Sequence, residues 1–271
     1  MLKHRLIATL LVNQGKVVQT RHFKPTNVVG SPFTAVDFFN SWAVDEIAIL
    51  EISRNSNSIE RFVQIVEELS RRCFVPLLVG GKITSIDLVQ RYTRAGADKV
   101  SINSQAFRDT DLIGRIASKY GSQSVVVSID AGENPEMPSG YEVMIGCGAE
   151  PTGRDALDWA KQAVDEGVGE ILLNSTHHDG DKRGYDLDLV RMFSKSLPVP
   201  VIAMGGVGKW DDLVDGITKG GADAVAAGNI FHYTEHSTKK AKEHMIECGL
   251  DVRTPVFFKM NMPRLPRYRP F

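Results

Sequence analysis

Two stretches of this chain, 76–106 and 200–231, read as copies of one unit. An offset of 125 positions carries Gly80-Gly81 onto Gly205-Gly206, Asp87-Leu88-Val89 onto Asp212-Leu213-Val214, and Gly96-Ala97-Asp98 onto Gly221-Ala222-Asp223. Each copy holds an apolar run, a Gly-Gly turn, an amphipathic helical segment, a Gly-Ala-Asp turn and a second apolar run. A strand–helix–strand unit used twice points to a parallel α/β barrel of two similar halves. The duplication also implies two similar anion sites, one per half, and so a ligand with two negative ends or one long phosphorylated arm.

The 271 residues, 42% of them hydrophobic, suffice for one (β/α)8 TIM barrel, whose usual size is roughly 250 residues. A barrel over 1–253 with an extension at 254–271 is the expected organisation. A net charge of −1 offers no field for nucleic acid or an anionic membrane surface. Cys73, Cys147 and Cys248 are too few and too scattered for a disulfide framework or a zinc site, which favours a reducing cytoplasm. No apolar run approaches the ~18 residues of a membrane span, and the N-terminus shows no signal-peptide pattern.

Eight near-continuously apolar runs, at 6–12, 46–52, 75–79, 99–102, 124–129, 170–173, 199–203 and 224–227, are the expected strands, since strands covered by helices lose the alternation of a half-exposed sheet. Between them lie helical segments. One spans 59–72, with Phe62, Val63, Val66 and Leu69 on one face and Asn57 with Glu60 as its start signal; Thr84 with Asp87 repeats that signal. Residues 13–32 and 131–151 read as long loops after the first and fifth strands, at the end of a barrel where loops cover substrate. Residues 262–271 form a Pro/Arg-rich tail expected to lie extended on the surface.

Glycine lets a backbone approach an anion closely, and a following helix N-terminus adds free N–H groups. Gly80 and Gly81 with Asn103 and Ser104 form one candidate phosphate cradle, joined by Lys82, which either adds a point charge or points into solvent. Gly205, Gly206, Gly228 and Asn229 form the other, after the seventh and eighth strands, where barrel phosphate sites often sit. Asp130 closes the apolar run 125–129, which places a carboxylate at the rim of the barrel mouth as a candidate general acid or base. Glu51 ends the second strand similarly, and Asp179 follows the sixth as a second catalytic candidate. Adjacent His177-His178 face apart and read as solvated loop residues, so neither a metal nor another cofactor is expected.

Asp45-Glu46, Gly80-Gly81, Ala97-Asp98-Lys99-Val100-Ser101-Ile102-Asn103, Gly121-Ser122-Gln123, Ser128-Ile129-Asp130, Gly169-Glu170-Ile171-Leu172-Leu173, Asp179-Gly180, Gly184-Tyr185-Asp186 and Gly205-Gly206 together resemble the cyclase subunit of imidazole glycerol phosphate synthase, over about residues 1–253. The resemblance implies a (β/α)8 barrel with a twofold repeat. It implies ammonia delivered through the barrel from a glutaminase subunit docked on the face opposite the active site, and cyclisation of a bis-phosphorylated ribulosyl intermediate of histidine biosynthesis. It assigns Arg5, Glu46, Lys99 and Glu170 to a ring of charges at the ammonia entrance, and Asp98 to the glutaminase interface. Charges inside a barrel have to be mutually paired to be tolerated.

The active-site face departs from that family. Two aspartates work there, one ending strand one and one ending strand five. The second is Asp130, but Leu11 stands in the place of the first, and Leu transfers no proton. Gln19 replaces a lysine, Glu51 an aspartate and Lys82 a third glycine. Such a pattern is similar to paralogues of the cyclase subunit associated with surface-polysaccharide genes and glutamine-dependent amidation of nucleotide sugars, acetamido to acetamidino. The expectation is an ammonia-accepting synthase subunit of a class I glutamine amidotransferase, paired with a glutaminase. The sugar would bind in this chain's own mouth or on a third protein docked there. The alternatives are the histidine-pathway cyclase itself and a non-catalytic ammonia channel or scaffold.

Overall fold

The structure, a computed structural model, describes residues 3–54 and 58–256. Its strands are, in chain order, β1 (Arg5–Asn13), β2 (Lys16–Arg21), β3 (Lys24–Gly30), β4 (Glu46–Glu51), β5 (Leu77–Gly80), β6 (Lys99–Ile102), β7 (Val125–Glu133), β8 (Tyr141–Ile145), β9 (Glu150–Asp155), β10 (Glu170–Ser175), β11 (Val201–Met204) and β12 (Ala224–Ala227). The helices are α1 (Pro32–Ser41), α2 (Ile59–Ser70), α3 (Ile86–Arg94), α4 (Ser104–Arg108), α5 (Asp111–Tyr120), α6 (Ala156–Asp165), α7 (Leu187–Ser196), α8 (Trp210–Thr218) and α9 (Ser237–Glu247). Strands β1, β4, β5, β6, β7, β10, β11 and β12 pair in parallel in that order, and β12 pairs back to β1. With helices between successive strands, this is a closed (β/α)8 barrel.

Alternation along each strand separates two cores. Leu6, Ala8, Leu10 and Val12 of β1 join the large core between sheet and helices. Ile7 belongs instead to a smaller cluster with Ala48, Leu78, Val126, Leu172, Ile202, Ala224 and Ala226, one or two from each of seven strands, on the barrel axis. Counting by twos from that layer places Arg5, Glu46, Lys99 and Glu170 below it and Thr9, Leu11, Asp130, Asn174 and Met204 above it.

The expected eight strands are all present, with shifted ends. The runs expected at 75–79 and 199–203 pair only from Leu77 and Val201, because Pro76 and Pro200 have no N–H to donate. Their carbonyls still accept, from Ile47 N and Ile171 N, each at 3.0 Å. The run 124–129 does not stop at Asp130 but continues to Glu133, since β8 pairs with it antiparallel and Asp130 lies opposite Met144. Helix α2 ends at Ser70 and buries Phe62, Ile65, Val66 and Leu69. Asn57 lies outside the described residues, as does the tail 262–271. At α3 the cap is Ser85, whose hydroxyl accepts from Leu88 N, and not Thr84.

Neither long connection is a loop. Residues 13–32 form the hairpin β2–β3, folded back on β1. Its turns are two-residue turns, Gln14-Gly15 and His22-Phe23, all four at positive φ, as a primed hairpin turn demands. In the second of these connections, 131–151, β8 and β9 continue the sheet from β7. Both were hidden in the sequence because β3 and most of β9 are exposed edge strands with little apolar content.

The sequence repeat is a repeat of geometry. Gly81 and Gly206 have φ of +98° and +93°, and Gly96 and Gly221 have +105° and +77°. Asp98 and Asp223 each accept a backbone N–H at the start of a preceding strand, Leu77 N at 2.7 Å and Val201 N at 2.9 Å. Asp45 does the same for Leu6 N at 2.9 Å, and its other oxygen meets the ammonium of Lys242 at 2.6 Å. Lys242 of α9 is fully buried and also donates to Ala43 O. Thr238, a turn earlier, donates to Trp42 O. No helix among the described residues is long and apolar enough to cross a membrane.

A β-carbon on Gly81 would lie 2.2 Å from Glu51 O, and one on Gly206 would lie 2.2 Å from Gly184 O. The expected outcome of Gly81→Ala is therefore a loss of about 2 kcal/mol or more of stability in the ligand-free protein, from backbone strain and contact together. Urea denaturation checks this; an unchanged midpoint would mean the glycine is not there for packing.

Candidate functional site

At the N-terminal end of the barrel four charges alternate around the axis. Arg5 bridges Glu46 at 2.8 Å and Glu170 at 2.9 Å; Lys99 bridges the same two carboxylates at 3.0 and 3.1 Å. Each cation thus touches both anions and each anion both cations. The Glu46 side chain is 2% exposed and the Arg5 side chain 26%, so the ring sits in the mouth of the barrel floor and not in bulk water. Burial works against the charge on Arg5, but Glu170 and Glu46 outweigh it and hold the guanidinium above its usual range. Both cations reach Glu46 through Oε2, and Oε1 is buried with no partner among the described residues. Asp98, exposed on the same face, commits one oxygen to Leu77 N.

At the opposite end Asp130 is buried, and burial pushes its carboxyl up to about 7 despite a hydrogen bond from Asn103 Nδ2 at 3.0 Å; the nearby Asp179 adds to the rise. Ser104 Oγ donates to Asn103 Oδ1 and accepts from Gly146 N, tying this network to the β8–β9 turn. Asn103 and Ser104 therefore orient Asp130 and a hairpin as well as facing the mouth. Asp179 is also pushed up by burial, against donation from Phe23 N at 2.8 Å and Thr20 Oγ at 3.1 Å. Its two oxygens hold the β2–β3 hairpin, while Asp181 takes Arg21, His22 and Arg183.

Asp179, Gly205, Gly206, Gly228 and Asn229 line one open cleft. Gly80, Gly81 and Lys82 are not part of it. Gly80 packs on Leu50 and Ser101, and Gly81 on the β4 backbone. Lys82 has φ +58°, a left-handed conformation, which accounts for the third glycine expected at this position. Glu51 is buried and accepts from Ser53 N, on a strand whose axial positions are the even ones, so it faces away from the axis. The histidines at 177 and 178 are not simply solvated: His178 Nδ1 pairs with Gly184 O at 2.8 Å, and Glu133 N donates to His177 Nδ1.

Of the other cleft residues the sequence had singled out only Leu11. Thr9, Leu11, Val18, Met204, Val207 and His232 line it as well, with no lysine or arginine lining it among the described residues. Gln19, in place of a lysine, is buried and accepts from Tyr233 Oη and Asn27 Nδ2. Burial lowers His232 to about 4, so its imidazole is neutral near pH 7. Asn174, beside Met204 in register, is 3% exposed, and its Oδ1 has no partner among the described residues. Counting inward positions along β1, β10 and β11 would have found Thr9, Asn174 and Met204; Val18 needed the hairpin. Among the described residues no group of three His, Cys, Asp or Glu could hold a metal.

A closed parallel barrel with carboxylates and glycine turns gathered at the C-terminal ends of its strands has the architecture of a (β/α)8 enzyme. Residues 5–237 match the family of histidine biosynthesis proteins, and the chain belongs to that family of barrel enzymes.

Asp130 gives a pH prediction. Its folded value, about 7, exceeds the unfolded 3.8, so the folded state binds the extra proton between those limits and stability falls as pH rises through that window. Asp130→Asn keeps an acceptor for Asn103 and removes the charge. The variant should unfold at a higher temperature than the parent at pH 8, by an amount set by roughly 1.4 kcal/mol per pKa unit, with the difference closing near pH 4. Thermal melts across pH 4–8 measure it.

Proposed function

We propose that this chain is the ammonia-accepting synthase subunit of a glutamine amidotransferase, and that it serves amidation of a nucleotide sugar from acetamido to acetamidino. The observation carrying the first half is the closed ring of Arg5, Glu46, Lys99 and Glu170, in which Glu46 Oε1 has no partner among the described residues. A ring serving structure alone would satisfy that atom, because a buried acceptor left unmade costs about 1–3 kcal/mol. An incoming ammonia has the N–H groups to fill it. The ring surrounds the entrance to an axial layer that includes three alanines, Ala48, Ala224 and Ala226. A glutaminase subunit docks on this floor, against exposed Asp98 and the 70% exposed ring of Phe74.

The second half rests on the mouth. Leu11 stands where the cyclases use a carboxylate and Gln19 where they use a lysine, so the machinery for a ribulosyl bisphosphate is incomplete. Asp130, near half-protonated at neutral pH, accepts the proton that ammonia sheds as it adds to the amide carbon of the sugar, and the former carbonyl oxygen leaves as water. The phosphates of the nucleotide sugar lie against the backbone at Gly205, Gly206, Gly228 and Asn229. A second reading, the histidine-pathway cyclase itself, is favoured by the family match over residues 5–237.

Two measurements separate these. The chain mixed with its glutaminase partner should raise glutamine hydrolysis when a nucleotide sugar is added, and Lys99→Met, which opens the ring, should abolish coupling between the two sites. Growth of a cyclase-deficient histidine auxotroph carrying this chain would reverse the choice in favour of the cyclase.

A further inference from the structure

After β12 the chain makes one turn of 3-10 helix, Asn229–His232. Phe231 fixes that turn: its ring is buried, stacks on Trp210 and meets Phe39 edge-on, and Ser237 Oγ donates to its carbonyl. With Phe231 in the core, His232 lines the cleft at the barrel mouth, its ring tilted against Phe39 at 6.1 Å between centroids. Thr9, Thr20, Asp179 and Asn229 are the other polar side chains of the lining, and all are engaged. Thr9 Oγ1 donates to Met204 Sδ, Thr20 Oγ1 to Asp179 and Asn229 Nδ2 to Thr20 O, while Asp179 also accepts from Phe23 N. His232 alone holds no hydrogen bond among the described residues, and neither ring nitrogen is closed off from solvent.

An unengaged imidazole in this setting suits few partners. Asp179 is the one other titratable group of the lining, and no lysine or arginine joins it among the described residues. Leu11, Val18, Met204 and Val207 make the surroundings largely apolar. Burial there holds His232 down at about 4, so the ring is neutral near pH 7. A neutral imidazole offers one N–H and one lone pair, which match an uncharged oxygen and give nothing to balance a full negative charge. So weak a base is a poor proton acceptor, which leaves the N–H as the useful end. In enzymes a neutral imidazole can polarise a carbonyl in this way.

We infer that His232 is the donor that holds the oxygen of the reacting carbonyl group in this mouth. As ammonia adds, the new C–N bond forms while the carbonyl π pair moves onto oxygen. The imidazole N–H steadies that oxygen and keeps its own proton. Asp130 relays two of the protons that ammonia brought, and the oxygen departs with them as water. The inference rests on the ammonia-accepting reading for the nucleophile, but not on which molecule carries the carbonyl.

Acetamide serves as the probe, with sodium acetate as its anionic match, on the full chain carrying isotope-labelled histidine rings and methionine methyl groups. The nuclear magnetic resonance signals of His232 are assigned by their loss in His232→Phe. They should report a neutral ring from about pH 5.5 to 8. Acetamide should move the protonated nitrogen along a saturating curve that acetate does not reproduce. The Met204 methyl reads affinity in the variants. His232→Phe keeps a ring against Phe39 but has no donor, and should bind acetamide roughly fivefold more weakly; His232→Gln keeps an N–H and should recover most of the loss. Thermal melts separate loss of folding from loss of binding. A ring that titrates in that range, an acetate response equal to that of acetamide, no saturation at molar acetamide, or unchanged affinity in His232→Phe overturns the inference. Stimulated glutaminase without an acetamide response leaves the ammonia-accepting reading standing and removes this one; an acetamide response without stimulation does the reverse.

Discussion

A barrel interior admits charge only where each charge finds its opposite, and four residues on four different strands meet that condition at the floor of this one. Arg5, Glu46, Lys99 and Glu170 hold each other at 2.8–3.1 Å. Isolated, any one of them would carry a desolvation penalty of several kcal/mol. Paired as a square, they fix the stagger of β1, β4, β6 and β10, because a slip of one residue would turn a charge into the outer apolar core. The axial layer above, the mouth above that, and the cleft all inherit their register from this square.

The two ends of the barrel are built on different terms. The floor is polar and shielded, its four charges paired with one another but with Glu46 Oε1 left without a partner among the described residues. The mouth keeps groups that the fold leaves unfinished: a carboxyl whose pKa lies near neutrality, a neutral imidazole and an amide oxygen with no donor among the described residues. Unsatisfied buried polar atoms are rare in folded chains, and Glu46 Oε1 at the floor and Asn174 Oδ1 toward the mouth are two of those among the described residues.

The barrel was legible in the sequence because its strands are covered on both faces and so read as unbroken apolar runs, and because Gly-Gly and Gly-Ala-Asp recur in register. The hairpins were not legible. Their outer strands bury little, and the His22-Phe23 turn has neither Asn nor Gly to announce two left-handed residues. That turn exists because Asp179 and Asp181, far along the chain, grip it from the other side. The same distance hid the true work of Asp179, and Asn174 looked like an ordinary strand residue until the direction of its side chain was known. Patterns that depend on period survive in one dimension; contacts between remote turns do not.

The buried contact between Lys242 and Asp45 has a bearing on how the molecule comes into being. Asp45 holds the first residues of β1, and α9, near the far end of the described chain, is what neutralises Asp45. During synthesis β1 must therefore wait, with an unmatched edge toward β12 and with Asp45 unpaired, until Lys242, 197 residues beyond Asp45, has emerged. The ring closes by β12 and α9 reaching back to β1 and Asp45, so the half-barrels are free to assemble early, but the finished cylinder appears only after α9 has emerged.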